Sequence, residues 1–168
     1  HTAAAGMILG LETLQLNYQA SSTTGNSGNY LDGLVAQDYL LATIPAELMQ
    51  QKLFSLNDNS ATLEQRARSY LHSNCAGCHR PGGPIPGLDL RFNTSLLATG
   101  ACNQSPVYGN LGQSSAQFLS PGDASRSVIS LRIRDTGNFR MPPLGTNLVD
   151  NDAADLVDDW INSLTSCN

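Results

Sequence analysis

Charge is scarce in this 168-residue chain, and lysine is almost absent. Charged residues make up 14% of the sequence, and Lys52 is the one lysine beside eight arginines. No cluster of basic residues exists that could neutralise the phosphates of a nucleic acid, and the net charge of −5 opposes such binding. We therefore expect no nucleic-acid partner.

Long apolar runs and strand-like alternation are also rare. The longest apolar stretches, such as residues 7–11, cover only a few positions, whereas a membrane-spanning helix needs roughly 20. Neither an internal repeat nor a low-complexity block is present. These absences predict a folded, loop-rich protein without a membrane span in this chain.

Apolar residues instead recur mostly at helical spacing, and the fold class that this predicts is all-α with long loops. Thr62 and Gln65 have the spacing of a capping box, which places a helix start there. Pro45 separates two of the helices, and residues 93–121 form a long irregular loop. The predicted helices are 7–18, two within 30–54, one from 62 into Cys75, one from about Asp123, and one from about 150 to 165.

The stretch NCAGCHRPGGP, residues 74–84, carries the strongest chemical signal. Cys75, Cys78 and His79 form a C-x-x-C-H motif, the signature of covalent haem attachment. Each thiol adds to one vinyl group of the haem, and the next residue supplies an imidazole to the iron. Two intervening residues let both sulfurs reach adjacent vinyl groups from one turn of chain.

Three other uses of Cys75 and Cys78 are open. A redox-active dithiol expects a strand before the motif, but a helix precedes it here. A zinc site needs further ligands, and the remaining histidines and cysteines are scattered. A disulfide between the two would close a strained ring.

Met141 is the best candidate for a second axial ligand of the iron. It lies in NFRMPPLG, where Pro142 and Pro143 restrict the backbone and let a loop present the thioether at little entropic cost. Met7 and Met49 fall on apolar helix faces and are interpreted as core. A vacant position, or His72 as ligand, remains the alternative.

The order of these motifs resembles class I c-type cytochromes over residues 62–165. CAGCH is followed by GPIPGLDL, RMPPLG and a terminal helix with DDWINSL. The resemblance implies a cytochrome c-like helical fold around one haem c, with Cys75 and Cys78 as thioethers and His79 and Met141 as axial ligands. It also implies that a proline carbonyl accepts a hydrogen bond from the His79 imidazole, with Pro84 as the best match and Pro81 and Pro86 as alternatives.

The phrases LGLETLQLN, RARSYL, PGDASRS and MPPLGT are further similar to haem domains of larger secreted bacterial proteins, some with carbohydrate-binding modules. This resemblance implies periplasmic or extracellular electron transfer between protein redox partners, including oxidative polysaccharide-degrading enzymes. We divide the chain into a helical N-terminal extension, 1–61, packed on the core, and a cytochrome c domain, 62–168.

Two further predictions depend on haem attachment. Because haem c is attached outside the cytoplasm, where disulfides persist, we predict a disulfide between the remaining Cys102 and Cys167, with two free thiols as the alternative. Arginine suits carboxylates, so we expect Arg91 to pair with a haem propionate, with other arginines as further candidates. These are Arg132, Arg134 and Arg140.

The chain is therefore predicted to be an electron carrier and not an enzyme. The runner-up is a ligand-binding or peroxidatic haem protein with an open distal site. A binding module in which haem is only structural would leave the Met-Pro loop without a purpose.

Overall fold

The computed structural model describes residues 2–7, 11–20, 28–40 and 44–168. Within these ranges the secondary structure consists of six short α-helices, three 3-10 turns and one small antiparallel sheet. The elements are α1 (Thr13–Leu16), β1 (Gln19–Ala20), β2 (Gly28–Asn29), α2 (Tyr30–Ala36), α3 (Ala46–Met49), α4 (Leu63–Cys75), α5 (Val128–Arg134) and α6 (Asn151–Ser163).

The all-α, cytochrome c-like fold class is wrong. The α-helices and 3-10 turns together cover 38% of the described residues, and β1 pairs with β2 in the register Gln19↔Asn29 and Ala20↔Gly28. The rings of Tyr18 and Tyr30 stack beside this pairing, with centroids 5.1 Å apart. Strands of two residues carry no readable alternation, so the sequence has no signal that distinguishes them from loop.

The helices predicted before α4 are shorter than expected. Of the predicted helix 7–18, the structure has only α1, and residues 8–10 lie outside the described ranges. The segment 30–54 holds α2 and α3, with Pro45 at the N-cap of α3, while 41–43 also lie outside. Apolar periodicity overestimates helix length here because such short helices need tertiary packing to persist.

Two 13-residue helices, α4 and α6, form the centre of the molecule and pack on each other. The predicted capping box is confirmed, since Thr62 Oγ1 accepts from the Gln65 amide and the Gln65 side chain accepts from the Thr62 amide. At the start of α6, the Asp150 side chain accepts a hydrogen bond from the Ala153 amide and so caps the helix. The core between the helices includes the fully or almost fully buried Ala67, Leu71, Val157, Trp160 and Ile161.

The N-terminal segment lies against α4 and the loop that follows it. Thr2 Oγ1 donates to the Gly77 carbonyl at 3.1 Å, and the Phe54 amide donates to Ser69 Oγ at 2.9 Å. The first bond ties the segment to the C-x-x-C-H motif, and the second ties it to α4. No helix in the described part of the chain is long and apolar enough to cross a membrane.

Candidate cofactor site

The C-x-x-C-H motif forms a tight turn at the end of α4. The amides of Cys78 and His79 donate to the Cys75 carbonyl at 3.1 and 2.9 Å. Gly83 then passes so close that a Cβ there would lie 2.2 Å from the Cys78 carbonyl oxygen. Both thiols are free of disulfides. The turn thus presents two thiols and an imidazole within one short stretch.

Cys75, His79 and Met141 line the same apolar cavity, whose volume is about 850 Å³ including its opening. The Met141 amide donates to the Arg132 carbonyl at 3.0 Å, which anchors the methionine loop to α5. Much of the wall consists of aliphatic side chains, including Leu88, Leu90, Val128, Ile129 and Ile133.

His79 is suited to binding a metal ion. Burial lowers the pKa of its imidazole, and the positive charge of Arg132 lowers it further. The neutral ring that results is the form that coordinates a metal. Its Nδ1 atom is buried and has no hydrogen-bond partner among the described residues.

The two cysteines face different spaces. Cys75 lines the apolar cavity, whereas Cys78 lines a second, more polar cavity together with Arg80 and Pro142, with a volume of about 1180 Å³ including its opening. Burial, and secondarily the nearby Cys78, raises the pKa of the Cys75 thiol to about 12. Cys75 is therefore a protonated thiol at neutral pH.

Pro84 and Arg91 lie outside this site. Pro84 is exposed, and because His79 Nδ1 has no partner, the expected bond from the imidazole to the Pro84 carbonyl does not form. Arg91 is bound to Asp89, with Nη2 2.7 Å from Oδ2 and Nε 2.9 Å from Oδ1. That pairing, above all, lowers the pKa of Asp89 to about 2. Arg91 is thus occupied by a neighbour two residues away.

Arg132 and Tyr108 reach the cavity instead. The Arg132 guanidinium donates to the backbone carbonyls of Tyr108 and Phe139 and has no carboxylate partner among the described residues. Arg132 was among the further arginine candidates, and helical spacing agrees with its position, because it follows Val128 by one turn on the cavity-facing side of α5. Tyr108 lies in a long irregular loop, and no sequence pattern indicates that it lines the cavity.

The other residues considered from the sequence are the second pair of cysteines, His72, Met7 and Met49. Cys102 and Cys167 are joined by a disulfide, the pair named from the sequence. His72 is buried and lies outside the apolar cavity, whose lining includes neither Met7 nor Met49. Met7 is 60% exposed, so its interpretation as core is wrong.

The described residues contain no group of three or more His, Cys, Asp or Glu side chains that could hold a metal ion by themselves. A zinc site at Cys75 and Cys78 thus lacks further ligands in the described part of the chain. Comparisons with protein-family models, with curated proteins and with solved structures find no match to this chain.

Proposed function

We propose that this protein binds one haem c covalently and transfers single electrons. The observation that carries the proposal is the meeting of Cys75, His79 and Met141 in one apolar cavity, although Met141 follows His79 by 62 positions in the sequence. A thiol, a neutral imidazole and a thioether are the donor set of a covalently attached haem with two axial ligands.

Each side chain then has a distinct task. The thiols of Cys75 and Cys78 would hold the haem through thioether bonds, and His79 and Met141 would bind its iron. The aliphatic walls exclude water, and the backbone bond from Met141 to Arg132 limits movement of the methionine loop. When bound, the haem supplies reversible one-electron chemistry at its iron.

Two cations are available for the propionates of such a group. Arg132 lines the cavity, and burial lowers the pKa of its guanidinium, with no carboxylate bound to it. Arg140, next to Met141, has a buried Nε without a partner among the described residues. We assign the propionate-pairing role to Arg132 first, because arginine binds carboxylates through a planar fork.

A peroxidatic or ligand-binding haem protein is the second candidate. Its support is the same Arg132 guanidinium, since a cation beside an open distal position would assist the chemistry of a bound peroxide. This reading requires that Met141 does not ligate the iron.

A dithiol oxidoreductase, a different class of protein, fits less well. Its attacking cysteine needs a lowered pKa, because the thiolate is the nucleophile. Burial shifts the pKa of Cys75 in the opposite direction, to about 12.

We place the protein in the periplasm or outside a bacterial cell. The Cys102–Cys167 disulfide fits an oxidising compartment, which haem c attachment also uses. Its partners would be redox proteins, with an oxidative polysaccharide-degrading enzyme as the acceptor that we favour, and the chain would be part of a larger secreted protein.

The deciding experiment is a visible spectrum of the purified protein, oxidised and dithionite-reduced, with and without carbon monoxide. We expect a low-spin c-type spectrum, a far-red sulfur-to-iron band and no carbon monoxide binding. Intact-mass analysis after denaturation should show one haem still attached. A high-spin ferric spectrum with rapid carbon monoxide binding selects the second candidate, and a protein without haem after expression with a haem c maturation system refutes both.

A further inference from the structure

One long stretch of the chain contains no ionisable charge. Residues 92–122 include none of the 23 acidic and basic residues and no histidine, although charged residues make up 14% of the chain. Its outer part, residues 103–115, is exposed almost throughout and is called the neutral loop below. A long surface segment usually carries charge for solubility, so its absence needs a reason.

The neutral loop presents hydrogen-bonding groups that the protein itself does not use. Five side chains of the loop form no hydrogen bond with any described residue: Gln104, Ser105, Gln113, Ser114 and Ser115. Amides and hydroxyls both donate and accept hydrogen bonds. The loop therefore offers several uncharged donors and acceptors to a ligand.

Its backbone is held in a strained and defined shape. Three of the five non-glycine residues with positive φ in the described ranges are Asn103, Leu111 and Ser115. Such conformations cost free energy and often occur where a ligand is clamped. The Cys102 disulfide and a 2.9 Å bond from the Asn103 amide to the Leu119 carbonyl anchor one end of the loop. Ordering of the loop by a ligand would therefore cost little conformational entropy.

Exposed apolar side chains stand beside these polar groups. Val107 is 74% exposed, Tyr108 62% and Phe139 52%. The Arg132 guanidinium binds the carbonyls of Tyr108 and Phe139, so it joins the two loops that carry the rings. The Phe139 ring also lies near Gly109, 4.0 Å from the position of a Cβ there.

We propose that the neutral loop binds an uncharged polysaccharide. An aromatic ring can stack on the apolar C–H face of a sugar, while amides and hydroxyls satisfy its hydroxyl groups. Tyr, Ser, Gly and Asn, which dominate this loop, are the residues of adaptable recognition loops. The loop has no cation that could pair with the phosphates of a nucleic acid. A charged protein surface would lose its hydration on binding the loop and would gain no ion pair in return. This activity goes beyond the proposed electron transfer and does not depend on it.

Affinity electrophoresis of the purified, cofactor-loaded protein tests the proposal. Native gels would contain a soluble β-1,4-glucan derivative, a neutral xylan or a galactomannan, with polygalacturonate as the charged control. We expect retardation by at least one neutral polymer and not by polygalacturonate. Tyr108→Ala should weaken it about tenfold, as for an aromatic residue that dominates an interface. Gln113→Ala, which lies away from the cavity, should weaken it several-fold.

Tyr39→Ala is the matched control, because Tyr39 is a 73% exposed tyrosine outside the neutral loop. It should bind as tightly as the unaltered protein. Thermal melts test whether each variant is folded. If Tyr108→Ala is unfolded, the binding of Gln113→Ala decides whether the loop holds the polysaccharide. Absence of retardation by all three neutral polymers overturns the proposal. The proposal is also overturned if both loop variants are retarded as strongly as the unaltered protein, or if Tyr39→Ala weakens binding as much as they do. Retardation by polygalacturonate alone overturns it as well.

Discussion

The Glu12 carboxylate accepts a hydrogen bond from Nε2 of His72, a buried residue 60 positions further along the chain. The other ring nitrogen, Nδ1, accepts from the Phe92 amide at 2.8 Å. Since Nδ1 accepts, the ring proton resides on Nε2, and His72 is a neutral donor to Glu12. One imidazole thus joins the N-terminal segment, α4 and the chain that follows the C-x-x-C-H turn.

The Glu12–His72 contact predicts a pH-dependent contribution to stability. The hydrogen bond from His72 lowers the pKa of Glu12 below its ordinary 4.5. A carboxyl group with a lowered folded-state pKa stabilises the fold above its unfolded pKa, and this contribution is lost as the pH falls through the folded-state pKa. Glu12→Gln should therefore reduce the free energy of unfolding by about 1 kcal/mol at pH 7 and have a smaller effect near pH 3.

Urea denaturation at both pH values measures this difference. Glu47→Gln is the control, because Glu47 is an exposed glutamate on α3 without such a partner among the described residues. An equal effect of Glu12→Gln at pH 7 and pH 3 would contradict the assigned role of the carboxylate charge.

Gly100 is predicted to tolerate no side chain. It adopts φ +70°, and a Cβ there would lie 2.1 Å from the Gly87 carbonyl oxygen. Gly112 has a similar φ of +81° but nothing within 4 Å. Gly100→Ala should cost more than about 3 kcal/mol in the free energy of unfolding, and Gly112→Ala about 1 kcal/mol, from left-handed strain alone. Equal losses in chemical denaturation would show that the backbone at Gly100 moves aside.

Removal of the Cys102–Cys167 disulfide should destabilise the protein strongly. The two residues are 65 positions apart, and opening a loop of that length costs about 4 kcal/mol in the chain-entropy model. We expect the double variant Cys102→Ser and Cys167→Ser to lower the urea midpoint, and a reductant to have no effect on the variant. A midpoint unchanged by the double substitution would mean that the bond adds no stability.

Met141→Leu tests the second axial ligand. Leucine has a similar volume, so we expect little change in stability, loss of the far-red sulfur-to-iron band and a gain of carbon monoxide binding. Met49→Leu is the control, because Met49 is half-buried on α3 and does not line the cavity. If Met141→Leu leaves the spectrum unaltered, the sixth ligand is a different group.

The parts that sequence reasoning predicted well depend on short-range interactions. The Thr62–Gln65 capping box joins residues three positions apart, and the stretch from Cys75 to His79 closes one turn at the end of a helix. Their geometry follows from local backbone conformation, which neighbouring residues decide.

The contacts of the candidate arginines depend on the tertiary structure. Arg91 follows a stretch that resembles a known motif, but Asp89, two positions earlier, occupies its guanidinium. Arg132 forms no ion pair with a carboxylate among the described residues, and the position of α5 brings it to the cavity wall.

The positions of α4 and α6, the motif that carries two thiols and an imidazole, and the uncharged character of residues 92–122 follow from the sequence alone. The pairing of β1 with β2, the contact between Glu12 and His72, and the position of Met141 and Arg132 on the cavity of His79 depend on the tertiary structure. Such long-range contacts depend on how separate segments bury their apolar surface together, and no local pattern encodes that arrangement.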